Sequence, residues 1–102
     1  MNESKKESKQ KYKQMFSTIK VVIDRWDPYG LLEGGAPEDE FESEIALVVA
    51  KIKTIKTEDD AARVVSEVFS DAFEPDLFTM ESCASVGREL FQELKKAKFF
   101  LN

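Results

Sequence analysis

Residues 26–41 read Trp26-Asp27-Pro28-Tyr29-Gly30-Leu31-Leu32-Glu33-Gly34-Gly35-Ala36-Pro37-Glu38-Asp39-Glu40-Phe41. This stretch holds three of the four glycines and two of the three prolines of a 102-residue chain. Glycine and proline end helices and set turns, whereas the sequence on either side has helical periodicity. The stretch therefore predicts a shaped loop between helices, and such loops often carry function.

The segment before the loop predicts the clearest helix of the chain. Apolar residues recur at steps of three and four between residues 12 and 26, which is the spacing of one helical face. The helix has to end near Asp27, because a residue before proline is disfavoured in the α region and Pro28 has no amide hydrogen. Asp27 is then expected to cap a short turn that starts with Pro28, and Gly34 and Gly35 are expected to end it.

A second helix is predicted after the loop. Pro37 comes shortly before the expected start of this helix. Asp39 and Glu42, three residues apart, form a capping pair that precedes a run of apolar residues with helical spacing. We expect this helix over residues 39–56. Since valine and isoleucine are mediocre helix formers, a strand over residues 46–55 is the alternative.

Two further helices are predicted in the rest of the chain. Thr57 with Asp60 repeats the capping spacing and starts a third helix, which the Glu-Pro-Asp break at residues 74–76 ends. A fourth helix is expected over residues 79–97, beginning at a threonine. Gly87 lies inside it and costs about 1 kcal/mol relative to alanine, which close packing against a neighbouring element would explain.

These elements predict an all-α fold, a compact bundle of about four helices with a Gly/Pro-rich loop between the first and the second. We expect residues 1–8 to be a disordered or frayed N-terminal extension and residues 9–102 to form a single helical domain. No apolar run approaches the roughly 20 residues of a membrane span, and no signal-peptide core follows Met1. The protein is expected to be cytoplasmic, with no membrane contact.

Charge is distributed unevenly along the chain and bears on the partner class. The whole chain has a formal net charge of −5, yet residues 1–25 carry net +4 and residues 26–50 carry seven acidic residues and no basic one. An acidic middle repels phosphate, so nucleic acid is not an expected partner. The lysines of the first helix are predicted to be a solvated helix start. An unknown protein partner with a basic surface fits the acidic middle better.

The residue types of the chain give no indication of a catalytic site or a cofactor site. The chain has no histidine, which removes the usual base of a cysteine or serine nucleophile and the common zinc ligands. Cys83 is the sole cysteine, and we expect it in the core. The acidic residues fit no calcium-loop spacing and the glycines fit no phosphate loop. We therefore expect no enzyme activity, no catalytic residue, no metal and no cofactor.

One string in this sequence resembles a known family. Trp26-Asp27-Pro28-x-Gly30-Leu31-Leu32-x-x-Gly35-Ala36-Pro37-x-Asp39-Glu40-Phe41-x-x-Glu44-Ile45 is similar to small bacterial proteins, found among Bacillus relatives, that are grouped as domain of unknown function 1871. The resemblance implies a compact helical domain of similar length without an assigned activity. The family pattern has tyrosine and aspartate where this chain has Phe41 and Glu42, and the charged start before Tyr12 resembles an extension of the common core.

The loop and the following helix start are the predicted interaction site of a non-catalytic protein-binding module. The candidate contact residues are apolar anchors and steering charges: Tyr29, Leu31, Leu32, Glu33, Asp39, Glu40 and Glu44. The residues expected to shape the loop and cap helices are Trp26, Asp27, Pro28, Gly34, Gly35, Pro37 and Thr57. The alternatives are an immunity-type protein that neutralises a basic toxin, a purely structural domain, and a self-associating domain that dimerises through Phe99-Leu101.

Overall fold

A computed structural model describes residues 2–74 and 76–97 of the chain. Within them lie four α-helices, α1 (Asn2–Trp26), α2 (Glu42–Ala50), α3 (Glu58–Ala72) and α4 (Ala84–Lys96), and 3-10 turns at Pro28–Gly30 and Ile52–Thr54. The described residues contain no strand, so the predicted all-α bundle of about four helices is confirmed and the strand alternative for residues 46–55 is wrong. No helix in this part of the chain is both long enough and apolar enough to cross a membrane.

The apolar faces of all four helices meet in one core. Helix α1 packs against α2 and α4, and α3 packs against α2 and most extensively against α4. Cys83 is fully buried, as predicted, and burial raises the pKa of its thiol, which keeps the thiol protonated and unreactive. The largest fully buried side chains of the core are Phe41, Phe69, Ile19, Ile23, Ile45, Ile55, Leu90 and Leu94.

Several predicted helix boundaries are wrong, and turns explain the differences. Helix α2 begins at Glu42 instead of residue 39, because the Glu40 amide donates to the Pro37 carbonyl oxygen (3.0 Å) and closes a turn there. Asp39 does not cap the helix, since the N-cap residue is Phe41 and no side chain caps it. The helix also ends six residues early, at Ala50.

The starts of α1 and α4 differ from the prediction as well. Helix α1 begins at Asn2, well before the apolar stripe, while the expected fraying of residues 1–8 stays a prediction. Helix α4 begins at Ala84 instead of residue 79. The Thr79 hydroxyl accepts a hydrogen bond from the Ser82 amide (3.1 Å), so this threonine caps a turn that precedes the helix.

The start of α3 carries a reciprocal cap around Thr57 and Asp60. The Thr57 hydroxyl oxygen accepts a hydrogen bond from the Asp60 amide (3.1 Å), and the Asp60 carboxylate accepts one from the Lys56 amide (2.9 Å). The Arg63 guanidinium donates a third hydrogen bond, to Asp60 (2.9 Å). The Lys56 amide, more than any other group, lowers the pKa of the Asp60 carboxyl below its ordinary value.

This cap predicts a pH-dependent part of the stability. Because the pKa of Asp60 is lower in the folded state than in the unfolded state, its stabilisation is complete above the unfolded pKa of about 3.9 and is lost as the pH falls through the folded pKa. We expect the stability gap between the wild type and Asp60→Asn to shrink as the pH falls below about 5. Urea denaturation over this pH range measures the gap. Asp59→Asn, at the neighbouring exposed acid, is the control; an Asp60→Asn gap no more pH-dependent than the Asp59→Asn gap would contradict this account.

Candidate functional site

The Gly/Pro-rich loop between α1 and α2 is a chain of hydrogen-bonded turns. The Ala36 amide donates to the Leu31 carbonyl oxygen (2.9 Å) and the Gly35 amide donates to the Leu32 carbonyl oxygen (3.1 Å), the pattern that ends a helical turn. Gly35 has φ +101°, a left-handed conformation that favours glycine. Residues 31–34 thus form a hydrogen-bonded turn, and Gly35 ends it.

Asp27 ties this turn to the end of α1. Its carboxylate accepts hydrogen bonds from the amides of Leu32 (2.8 Å) and Glu33 (3.1 Å). We predicted that Asp27 caps the turn starting at Pro28, but no side chain caps that turn, and the carboxylate instead reaches the amides five and six residues ahead. Asp27 itself has φ +46°, outside the right-handed helical region.

Tyr29 is held in an unusual backbone conformation in the first turn of the loop. Its φ is +64°, which costs conformational energy for an aromatic residue, and its side chain is 48% exposed. The ring packs edge-on against Phe73 (centroids 5.6 Å apart) and Phe78 (5.7 Å). Desolvation raises the pKa of Tyr29, and the negative charge of Glu74 raises it further. The fold therefore presents this ring to solvent in a defined position.

Behind Tyr29 lies a cluster of aromatic rings from three parts of the chain. Trp26 is half-buried and meets Phe69 (5.1 Å) and Phe78 (5.8 Å) edge-on, while Phe41 lies 6.4 Å from Phe73. Edge-to-face aromatic contacts of this kind stabilise a fixed ring arrangement. Phe78 is further held in place because its carbonyl oxygen accepts hydrogen bonds from the hydroxyls of Ser66 (2.5 Å) and Ser70 (3.2 Å).

The roles of Phe73 and Phe78 at this site were missed from the sequence. Phe73 continues the apolar stripe of the third helix, so it reads as ordinary core. The one available signal was the apolar pair Leu77-Phe78 in an otherwise polar break after α3. Such a pair near proline indicates a loop that folds back onto the core.

The other predicted anchors lie deeper than Tyr29. Leu31 and Leu32 are half-buried and pack against the core, and Glu33 is exposed next to them. These two leucines thus support the loop from beneath. Pro37 is exposed, and Gly34 sits where a Cβ atom would lie 3.2 Å from the Gly30 carbonyl oxygen.

The predicted steering charges lie at the end of the loop and on the first turn of α2. Asp39 and Glu40 are exposed, and Glu44 is half-buried on the first turn of α2. Lys20 on α1 donates to the backbone carbonyl of Glu38 (2.6 Å) and so fastens this part of the loop to α1.

Glu44 and Glu40 form a pair of like charges. Burial raises the pKa of the Glu44 carboxyl above its ordinary value, and the negative charge of Glu40 raises it further. Among the described residues, no group of three or more acidic, cysteine or histidine side chains is arranged to hold a metal ion. Because the two carboxyl groups of Glu40 and Glu44 lie close together, they concentrate negative charge and would attract a cationic group of a partner.

The fold and this site define a class: a small all-α domain whose first interhelical loop is closed by hydrogen bonds and displays an aromatic ring. The chain belongs to the family described as Domain of unknown function (DUF1871), whose family model matches residues 18–98. The matched range contains the whole loop and α2 to α4, so the resemblance inferred from residues 26–45 is confirmed. No curated protein and no solved structure is significantly similar to this chain.

Proposed function

We propose that this domain is a non-catalytic protein-binding module and that Tyr29 is the anchor of its binding surface. The observation that carries the proposal is the Tyr29 ring, which is 48% exposed while its backbone is held at φ +64°. Unfavourable backbone conformations persist where the surrounding structure enforces them, and they cluster at functional sites. Tyrosine is also among the residues that dominate binding energy at protein interfaces.

The acidic side chains around the loop favour a basic partner. Glu33, Asp39 and Glu40 are exposed, and Glu44 retains a partly exposed carboxylate next to Glu40. Charges at the edge of an interface mainly accelerate encounter and select partners of opposite charge. An immunity-type protein that neutralises a basic toxin is the narrower form of the same proposal.

A purely structural role for the loop is the competing proposal. It is supported by the packing of Leu31 and Leu32 against the core and by the hydrogen bonds of Asp27. In that case replacing Tyr29 changes stability and leaves binding unaffected. Self-association through Phe99-Leu101 concerns residues that lie outside those the structure describes.

In-cell photo-crosslinking tests the proposal because the chain has two tyrosines in similar settings. Tyr12 is 44% exposed and its ring lies 6.1 Å from Phe16, so it matches Tyr29 in exposure and in having a phenylalanine neighbour. We expect a photoreactive phenylalanine at position 29 to form one discrete adduct with another protein in the native host, and the same residue at position 12 to form none. Adducts at neither position, or the same adducts at both, would contradict a binding surface anchored by Tyr29.

A further inference from the structure

Two separate stretches of this chain contain acidic residues and no basic ones. Residues 26–50 carry seven Asp or Glu, and residues 64–87, between Arg63 and Arg88, carry five. The formal net charge of the whole chain is only −5, so the remaining residues are net positive. The two segments together thus carry twelve of the twenty acidic residues and none of the basic ones.

The fold brings these two segments together at the aromatic cluster. Tyr29 from the first segment packs on Phe73 and Phe78 from the second, and Phe41 packs on Phe69 (6.2 Å). Glu74, Asp76 and Leu77 lie on the loop between the two rings that Tyr29 contacts. We call the surface made by these residues the acidic aromatic surface; its members are Tyr29, Phe73, Glu74, Asp76 and Leu77.

The carboxylates of this surface are not neutralised by the protein itself. The ion pairs among the described residues leave out Glu74 and Asp76. Several basic side chains pair with carboxylates outside this surface, for example Arg25 with Glu89, and Arg88 with Glu58 (3.6 Å). Negative charge on this surface therefore remains available for a cation from outside.

Exposed apolar side chains are concentrated in the same two segments. Six large apolar side chains are well exposed among the described residues, and four of them, Tyr29, Leu47, Leu77 and Met80, belong to these segments. Of the four, Tyr29 and Leu77 are members of the acidic aromatic surface. Leu77 is 50% exposed beside the buried Phe78. A surface that combines exposed apolar groups with unpaired charge of one sign is complementary to a segment with apolar groups and charge of the opposite sign.

We propose that the acidic aromatic surface docks a segment of another protein that presents lysine or arginine side chains beside an apolar residue. The apolar residue packs on Tyr29 and Leu77, and the cations meet the carboxylates of the loop after α3. An arginine of the partner can also stack on the exposed Tyr29 ring. This inference rests on the proposed function and adds to it the chemistry of the partner and the participation of Phe73, Glu74, Asp76 and Leu77.

The test uses the full chain and a fluorescent synthetic peptide of leucine and lysine patterned as an amphipathic helix. We expect the peptide to bind, and a peptide with glutamate in place of every lysine not to bind. Removing two charges by Glu74→Gln with Asp76→Asn should weaken binding about tenfold, as should Tyr29→Ser. The control Asp59→Asn with Glu93→Gln removes the same number of charges outside both segments and should change binding less than about twofold.

Three results would overturn the inference. The first is no binding of the lysine peptide by a chain that circular dichroism shows to be folded. The second is an equal loss with both charge-removal pairs, because net charge alone would then explain binding. The third is a dimer in sedimentation that Tyr29→Ser dissociates, because a second copy would then occupy the surface. These results are distinct from the result that would contradict the proposed function. That result is the absence of a specific crosslinked adduct at position 29 in the photo-crosslinking experiment.

Discussion

Gly87→Ala is expected to destabilise the domain by about 3 kcal/mol, although alanine is the better helix former by about 1 kcal/mol. A Cβ atom on Gly87 would lie 2.6 Å from both the Cα and the backbone nitrogen of Ala62, and 2.8 Å from its Cβ. Backbone atoms cannot rotate away as a side-chain end can. Helix α3 would have to move away from α4 along the most extensive helix contact of the fold.

Urea denaturation of three variants separates this clash from intrinsic helix propensity. Ser85→Ala, at an exposed position of the same helix, should leave stability unchanged or slightly raised. Adding Ala62→Gly to Gly87→Ala removes the 2.8 Å contact and leaves the two backbone contacts, and the new glycine costs α3 about 1 kcal/mol of helix propensity, so the double variant should recover at most a small part of the loss. A Gly87→Ala chain as stable as the wild type would show that α3 and α4 can separate without cost.

The sequence predicted the helices well because apolar periodicity records which face each helix buries. Gly87 is the clearest case: a glycine inside a helical pattern predicted a close neighbour, and Ala62 is that neighbour. Helix starts were predicted less well. Asp39 has the residue type and spacing of a capping pair and Thr79 has the residue type of a cap, but turns follow both before α2 and α4 begin. Local capping signals do not distinguish a helix from a turn that precedes one.

The candidate site was predictable in its location and not in its construction. Glycine, proline and acidic residues marked the loop, and Tyr29 within it is exposed. The supporting rings could not be predicted, because Phe73 and Phe78 reach Tyr29 only through the path of the chain after α3. The acidic character of the whole surface likewise needs two segments that are distant in sequence. The ring contacts of Tyr29 and the joining of the two acidic segments depend on tertiary contacts, which local sequence patterns do not predict.

Asp27→Ala should cost about 3 kcal/mol, the second large effect, because two losses combine at one residue. The amides of Leu32 and Glu33 lose a charged acceptor, and alanine is left at φ +46°, a conformation that aspartate tolerates better. Asp27→Asn keeps one acceptor and the tolerance of positive φ, so it should cost about 1 kcal/mol. Urea denaturation measures the order of the series.

Asp39→Ala is the matched control for this series, an exposed acid of the same loop that caps no helix, and it should cost less than about 0.5 kcal/mol. Hydrogen exchange of the Leu32 and Glu33 amides adds a local measurement, since both should lose protection in Asp27→Ala before the core does. If these amides exchange as slowly without the carboxylate as with it, Asp27 does not hold the loop. The position of Tyr29 would then depend only on its contacts with Phe73 and Phe78. In that case the proposed binding surface would keep its structure in Asp27→Ala, although the hydrogen bonds of the loop predict that it should not.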